Sequence, residues 1–212
     1  SEYKYKKKFL KIGSCKHSDI CTFSMHPLKT ITSGEGGVIT TNNLKIARNI
    51  KLLRNHGILK NKNKYWKYDI LKHGFNYRLS DINCALGISQ LKKIGFFLRK
   101  RKKVYIKYNF ELKNFDKNLI IPKYSNHLFI INIAFNNIKK TKDDFIKYLI
   151  TKNIITQQHY IPIYKFNVFG KKINKFKGAE KYFSNSISIP IFVDLNIKDQ
   201  NKIINMIKKY FK

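Results

Sequence analysis

Two short apolar runs, parted by a proline and a cluster of glycines, constrain this chain more than any other feature. They lie in DICTFSMHPLKTITSGEGGVITTN, residues 19 to 42. Ile20, Thr22 and Ser24 alternate with Cys21, Phe23 and Met25, the period of two expected of a strand buried on at least one face. His26-Pro27 interrupts that run, because a proline ring disfavours helical backbone in the residue before it. TSGEGG then supplies flexible backbone before VITT resumes strand character. Asn42 or Asn43 is placed to cap a helix in which Ile46, Ala47, Ile50 and Leu53 recur at helical spacing until Gly57. The predicted order is strand, loop, strand, helix.

Beyond a lysine-rich aromatic loop, LKNKNKYWKYDILKHG, comes GFNYRLSDINCALGISQLKKI. Ser80 is a good helix cap, and Ile82, Ala85, Leu86 and Ser89 form the predicted buried stripe of the helix it opens. A longer helix is expected from Phe97 to Leu112, with Leu98, Tyr105, Tyr108 and Leu112 on one face and RKRKK on the solvated one. After Pro122 the pattern changes. HLFIINIAF aligns Phe129, Ile131, Ile133 and Phe135 on one side of a strand, and Thr141 with Asp144 offers a capping box for a helix carrying Phe145, Ile146 and Leu149. ITQQHYIPI reads as a strand, AEKYFS as a short helix, SISIPIF as a strand and IKDQNKIINMIKKYF as a final helix. Strands alternating with helices give an α/β fold class, with a boundary expected near residue 112, so that 1–112 and 113–212 form two domains.

At 212 residues the chain is long enough to bury roughly 70% of its unfolded surface. No apolar run approaches the roughly 18 residues of a membrane span. The start, SEYKYKKKFLKIG, has neither a signal-peptide core nor an initiating methionine, and reads as a fragment with an upstream part. Cys15, Cys21 and Cys84 have no paired metal-ligand spacing and cannot form an even disulfide framework, so reduced thiols in a cytoplasmic protein are expected. The six histidines fall singly, which argues against a metal site.

The formal charge of +32 invites a nucleic-acid reading. Yet 39 of the 44 basic residues are Lys and only five are Arg, although Arg supplies the planar fork that reads phosphates and bases best. Lys, Ile, Asn, Phe and Tyr together are favoured by AT-rich codons, and drift in a biased genome produces such a charge without selection for binding. A basic binding protein using its lysines and aromatics on nucleic acid or anionic surfaces stays as the rival reading.

Lys29 sits between an apolar strand and the glycines. A lysine acting as a covalent amine must be poised, because only the neutral amine attacks a carbonyl and its ordinary pKa is near 10.4. Desolvation at the end of a buried strand, with little carboxylate nearby, pushes in that direction. Gly34, Gly36 and Gly37 let backbone approach a bulky cofactor or turn sharply. GEGG lacks the GK[ST] ending of a nucleotide phosphate loop. Ser24 offers a hydroxyl to an anion.

FSMHPLKTITSGEGGVITTN resembles the pyridoxal-phosphate lysine segment of the DegT/DnrJ/EryC1/StrS family of sugar aminotransferases. The likeness continues through LLRNHGI, GFNYRLSDINCALGISQL, HYIPIY and SISIPIF, in order and at fitting distances. It implies the C-terminal part of a fold-type I large domain followed by a small α/β domain, with pyridoxal 5'-phosphate as cofactor. Within the family, HPLKTITSGEGG and HYIPIY are most similar to transaminases that aminate C4 of a UDP-linked 4-keto-6-deoxy-N-acetylhexosamine in surface glycan synthesis, with glutamate as the amino donor. The resemblance makes Lys29 the Schiff-base lysine and proton shuttle, and Ser24 a ligand of the cofactor phosphate. It makes Asn76 a ligand of the neighbouring subunit's cofactor phosphate, which implies a homodimer with shared active sites. His159 and Tyr160 match positions that contact the nucleotide sugar or line its cleft. Arg78 assists at the subunit interface or forms a structural ion pair; His26 and Glu35 serve packing and loop hydrogen bonding at least as readily as a direct role.

The family's aspartate on the pyridine nitrogen, its ring-stacking aromatic residue and its phosphate-holding turn have no counterpart from Ser1 onward, so the 212-residue polypeptide is expected to be inactive by itself. A related dehydratase would carry histidine in place of Lys29.

Overall fold

The computed structural model describes residues 2–64, 66–121, 126–169 and 176–212. Tyr65 of the aromatic loop and Pro122, where the sequence pattern changes, lie outside them. The chain divides into two units, Ser1–Ile94 and Gly95–Lys212.

Among its described residues the first unit is built from three antiparallel strand pairs and two helices. β1 (Glu2–Tyr5) pairs with β2 (Lys8–Lys11), β3 (Cys21–Ser24) with β4 (Gly37–Thr40), and β5 (Ile58–Lys60) with β6 (Tyr68–Ile70). The β3–β4 register sets Ser24 opposite Gly37 and Phe23 opposite Val38. Neither β1–β2 nor β5–β6 is foreseen from sequence, since their lysines and aromatics carry no clear alternation. Between β4 and β5 runs α1 (Leu44–Arg54), capped by Asn43, whose Oδ1 accepts the amides of Lys45 at 2.9 Å and Ile46 at 3.2 Å. α2 (Asp81–Lys92) opens at Ser80, whose hydroxyl accepts the amide of Asn83 at 3.2 Å. Both caps satisfy amides that a helix start otherwise leaves orphaned.

The predicted stripe of α2 is not buried within this chain. No residue of α2 is buried, and Ile82 is 84% exposed. The side that packs carries Asn83 and Gly87, because Asn83 Nδ2 donates to Ser33 O and a Cβ at Gly87 would lie 3.4 Å from that of Ser33. A small polar pair against a loop replaces an apolar stripe against a core.

The second unit holds the main core. α3 (Ile94–Leu112) packs Val104, Tyr108 and Leu112 into it, so this helix, assigned by sequence to the first domain, serves the second unit. β7 (Leu119–Ile120), β8 (Phe129–Ile133) and β9 (Ser186–Ile189) form an antiparallel sheet in that order. Phe129 and Ile131 of β8 pair with Ile189 and Ile187 of β9, one face of the sheet meeting the core. α4 (Lys142–Ile150) contributes Phe145 and Leu149, α5 (Lys177–Asn185) adjoins β9, and α6 (Ile197–Phe211) contributes Ile203, Ile204 and Ile207. Thr141 caps α4 by accepting from Asp144 N at 3.1 Å and donating to Asp144 Oδ2 at 2.6 Å; Asn196 caps α6 through Asp199 N at 2.8 Å. Each fully buried large apolar side chain contributes about 1.5–3 kcal/mol.

Two expectations are corrected here. The RKRKK run is not wholly solvated: Arg101 is 7% exposed, with Nε donating to Asn126 O at 3.0 Å and Nη2 to His127 O. Burial lowers its pKa from the ordinary guanidinium value. Its backbone partners meet the desolvation cost that a buried cation otherwise incurs. ITQQHYIPI is not a strand, for it makes a single bridge, Gln157 to Ser188, before a 3-10 turn at Ile163–Lys165. Pro162 lacks the donor a ladder needs, and the side chains of 158 and 159 bind β9 in place of a backbone ladder.

Candidate active site

In the first unit the loop between β3 and β4 is held from within. Met25 N donates to Gly36 O at 2.9 Å, and Met25 O accepts Ser33 N at 3.0 Å and Thr32 Oγ1 at 2.8 Å. Ser33 is buried, donates Oγ to Glu35 O at 2.7 Å and receives Asn83 Nδ2 on its own carbonyl. Gly36 has φ +133, and a Cβ there would lie 2.9 Å from Leu79 Cδ1. Only glycine meets both the conformation and the close approach.

Lys29 closes a β-turn. Its amide donates to His26 O at 2.9 Å, with Pro27 at the second position, where its fixed φ suits the turn. His26 Nδ1 accepts Leu28 N at 3.2 Å, and its Nε2 lies 3.8 Å from Glu35 Oε1. His26 and Glu35 therefore shape the loop. The Lys29 side chain is half-buried, and its amine has no ion pair among the described residues. Ser24, at the end of β3, accepts only a long bond from His26 N at 3.4 Å among the described residues, leaving its O–H able to donate.

Asn76 is exposed and bridges Asn55 through backbone. Arg78 Nη1 donates to Asn55 Oδ1 at 2.7 Å, a structural bond to a neutral amide in place of an ion pair. In the second unit, His159 Nδ1 lies 2.7 Å from Ser188 Oγ, and His159 O accepts Tyr182 OH at 3.2 Å. Tyr160 is 67% exposed, its ring edge-on to His159 at 4.7 Å. The structure thus places His26, Lys29 and Glu35 in the β3–β4 loop with Ser24 at the end of β3, sets Asn76 and Arg78 beside Asn55, and places His159 and Tyr160 in the other unit. Asn83, Tyr182, Lys142 and Ser188 are not singled out by sequence. Asn83, three residues after the Ser80 cap, carried the one usable signal: a polar residue on the first turn, adjacent to the predicted stripe.

The donor set of β3 and its loop fits pyridoxal 5'-phosphate: a primary amine without an ion partner among the described residues for an aldehyde, and a hydroxyl able to donate to a phosphate.

A model of the DegT/DnrJ/EryC1/StrS aminotransferase family matches residues 4–208. Over 206 residues the chain is 38% identical to the UDP-4-amino-4,6-dideoxy-N-acetyl-beta-L-altrosamine transaminase of Campylobacter jejuni serotype O:23/36, covering 94% of this chain and 52% of that one. The Helicobacter pylori enzyme of the same name is 32% identical over 223 residues, covering 100% and 56%. The structure of Helicobacter pylori PseC, an aminotransferase involved in the biosynthesis of pseudoaminic acid, superposes with a TM-score of 0.84 at 31% identity, covering 92% of this chain and 53% of that one. The chain spans about half the length of the curated relatives it matches. Its lysine loop, its α/β architecture and these likenesses agree: the chain belongs to the DegT/DnrJ/EryC1/StrS aminotransferase family.

Proposed function

We propose that the chain provides the lysine loop and the sugar-contacting segment of a pyridoxal-phosphate-dependent aminotransferase acting on a nucleotide-linked keto-sugar. Its substrate is a UDP-linked 4-keto-6-deoxy-N-acetylhexosamine aminated at C4, with glutamate as donor, for a surface glycan. The observation that carries this reading is Lys29, its amine without an ion partner among the described residues, fixed by the 26–29 turn a few residues beyond the Ser24 hydroxyl. The identity to the two transaminases supports the choice of sugar.

When bound, the cofactor supplies an aldehyde and a conjugated ring that accommodates negative charge. Lys29 would hold it and would take and return the proton at the reacting carbon. Ser24 donates its hydroxyl to the phosphate, and Asn76, exposed on its bridge, reaches a second subunit's phosphate in a homodimer with shared sites. His159 and Tyr160 contact the nucleotide sugar. No helix among the described residues is long and apolar enough to cross a membrane.

The test is to incubate the intact protein with pyridoxal 5'-phosphate, reduce with borohydride and map the adduct by mass spectrometry. A single adduct on the peptide containing Lys29, lost with its visible absorption in Lys29→Ala, is expected. Adducts scattered over other lysines, or none, would overturn the reading.

A further inference from the structure

The inner face of β9 leaves its outer face with two serines to account for. Ile187 and Ile189 meet the core through Ile131 and Phe129, so Ser186 and Ser188 fall on the opposite face, cross-strand from Asn132 and Ile130. Both serines are nevertheless buried, at 1% and 5% exposure. A buried hydroxyl is costly unless bonded, and for packing alone alanine or valine would serve. Each serine has a partner in the same short segment. Gln158 Nε2 donates to Ser186 Oγ at 3.1 Å, and His159 Nδ1 lies 2.7 Å from Ser188 Oγ. Gln157 and Ser188 exchange backbone bonds at 3.0 and 2.8 Å.

Residues of α5 and α4 hold the same segment as well. Tyr182 of α5 donates its hydroxyl to His159 O at 3.2 Å. Lys142, at the start of α4, donates to Gln158 Oε1 and, at 2.5 Å, to Phe183 O. His159 is thereby fixed through its ring and through its main chain, and the exposed Tyr160 ring follows it directly. A serine hydroxyl rotates to serve either tautomer, so Ser188 sets the position of the ring and not its charge.

We infer that Ser188 and Tyr182 are positioning residues that hold His159, and with it Tyr160, for the uridine nucleotide of the substrate. This rests on the reading of His159 and Tyr160 as sugar-nucleotide contacts. The test uses the intact protein with histidine labelled by nitrogen-15, UDP as the probe, and thermal unfolding to verify that each variant folds. Ser188→Ala shifts the ring-nitrogen resonances of His159 and weakens UDP binding roughly fivefold, the scale of one lost hydrogen bond. Ser188→Thr restores both, and Tyr182→Phe, which removes a single hydroxyl, weakens UDP to a similar extent. Unmoved His159 resonances in Ser188→Ala, or shifted resonances with UDP affinity within about twofold of the parent, overturn the positioning role. If His159→Ala binds UDP as the parent does, the assignment of His159 as a nucleotide contact fails, and this inference falls with it; a normal Lys29 adduct in that variant would show the cofactor reading still standing.

Discussion

The Nδ1 of His26 accepts the amide of Leu28 at 3.2 Å, within the turn that ends at Lys29. This bond makes the histidine a loop acceptor, a role in which asparagine can replace it and alanine cannot. His26→Ala is expected to cost about 1 kcal/mol and to loosen the Lys29 turn, while His26→Asn retains most of that stability. Glu35→Gln should change stability by less than about 0.5 kcal/mol, because its contact with His26 is long and exposed. Denaturant unfolding of the three variants checks the ranking, and equal losses for Ala and Asn would contradict it.

The end of α1 gives a second prediction. Gly57, at φ +71, donates its amide to Leu52 O at 2.8 Å, and a Cβ there would fall 1.8 Å from Lys72 O. Backbone cannot yield as a side chain can, so Gly57→Ala should destabilise by about 2–4 kcal/mol. Gly178, in the first turn of α5, has nothing within 4 Å of such a Cβ. Gly178→Ala should be neutral or stabilising by up to about 1 kcal/mol. Thermal midpoints moving in the same direction for both would refute the argument.

Acid sensitivity should trace in part to Glu180. Lys165 Nζ lies 2.5 Å from Glu180 Oε2, and Tyr164 donates its hydroxyl to Oε1 at 3.0 Å. The hydrogen bond from Lys165 holds the carboxyl below the ordinary glutamate pKa, partial burial opposing it and Tyr164 adding to it. A depressed folded-state value means that the unfolded chain binds more protons between the two pKa values, so stability rises with pH there. The contribution is present above the unfolded pKa and is lost as pH falls through the folded one. Denaturation midpoints measured from about pH 6 down to about pH 3 should fall less steeply in Glu180→Gln than in the parent; parallel curves would show that Glu180 is not responsible.

Much of the lysine loop was legible because its geometry is local. The proline turn at Lys29, the glycines that follow and the strands on either side depend on neighbours within a few residues. Tyr108 was legible as core by its helical spacing, although its hydroxyl bond to Pro190 O at 3.0 Å, across 82 residues, was not. Arg101 was hidden inside a basic run, since its burial depends on two carbonyls 25 and 26 residues away.

The sequence by itself determined the helix starts at Ser80 and Thr141, a cap at Asn42 or Asn43, the β3 and β4 strands, and the family to which the lysine loop belongs. Each of those rests on a side chain meeting backbone within a few positions, or on a motif continuous in the chain. Only the tertiary structure decided that α2 presents Asn83 to the loop, that Arg101 goes inside, and that Gln158 and His159 bind β9 by side chains beside the single Gln157–Ser188 bridge. Those outcomes turn on which distant groups can pay for desolvating a cation or a hydroxyl, and one-dimensional spacing carries no record of them.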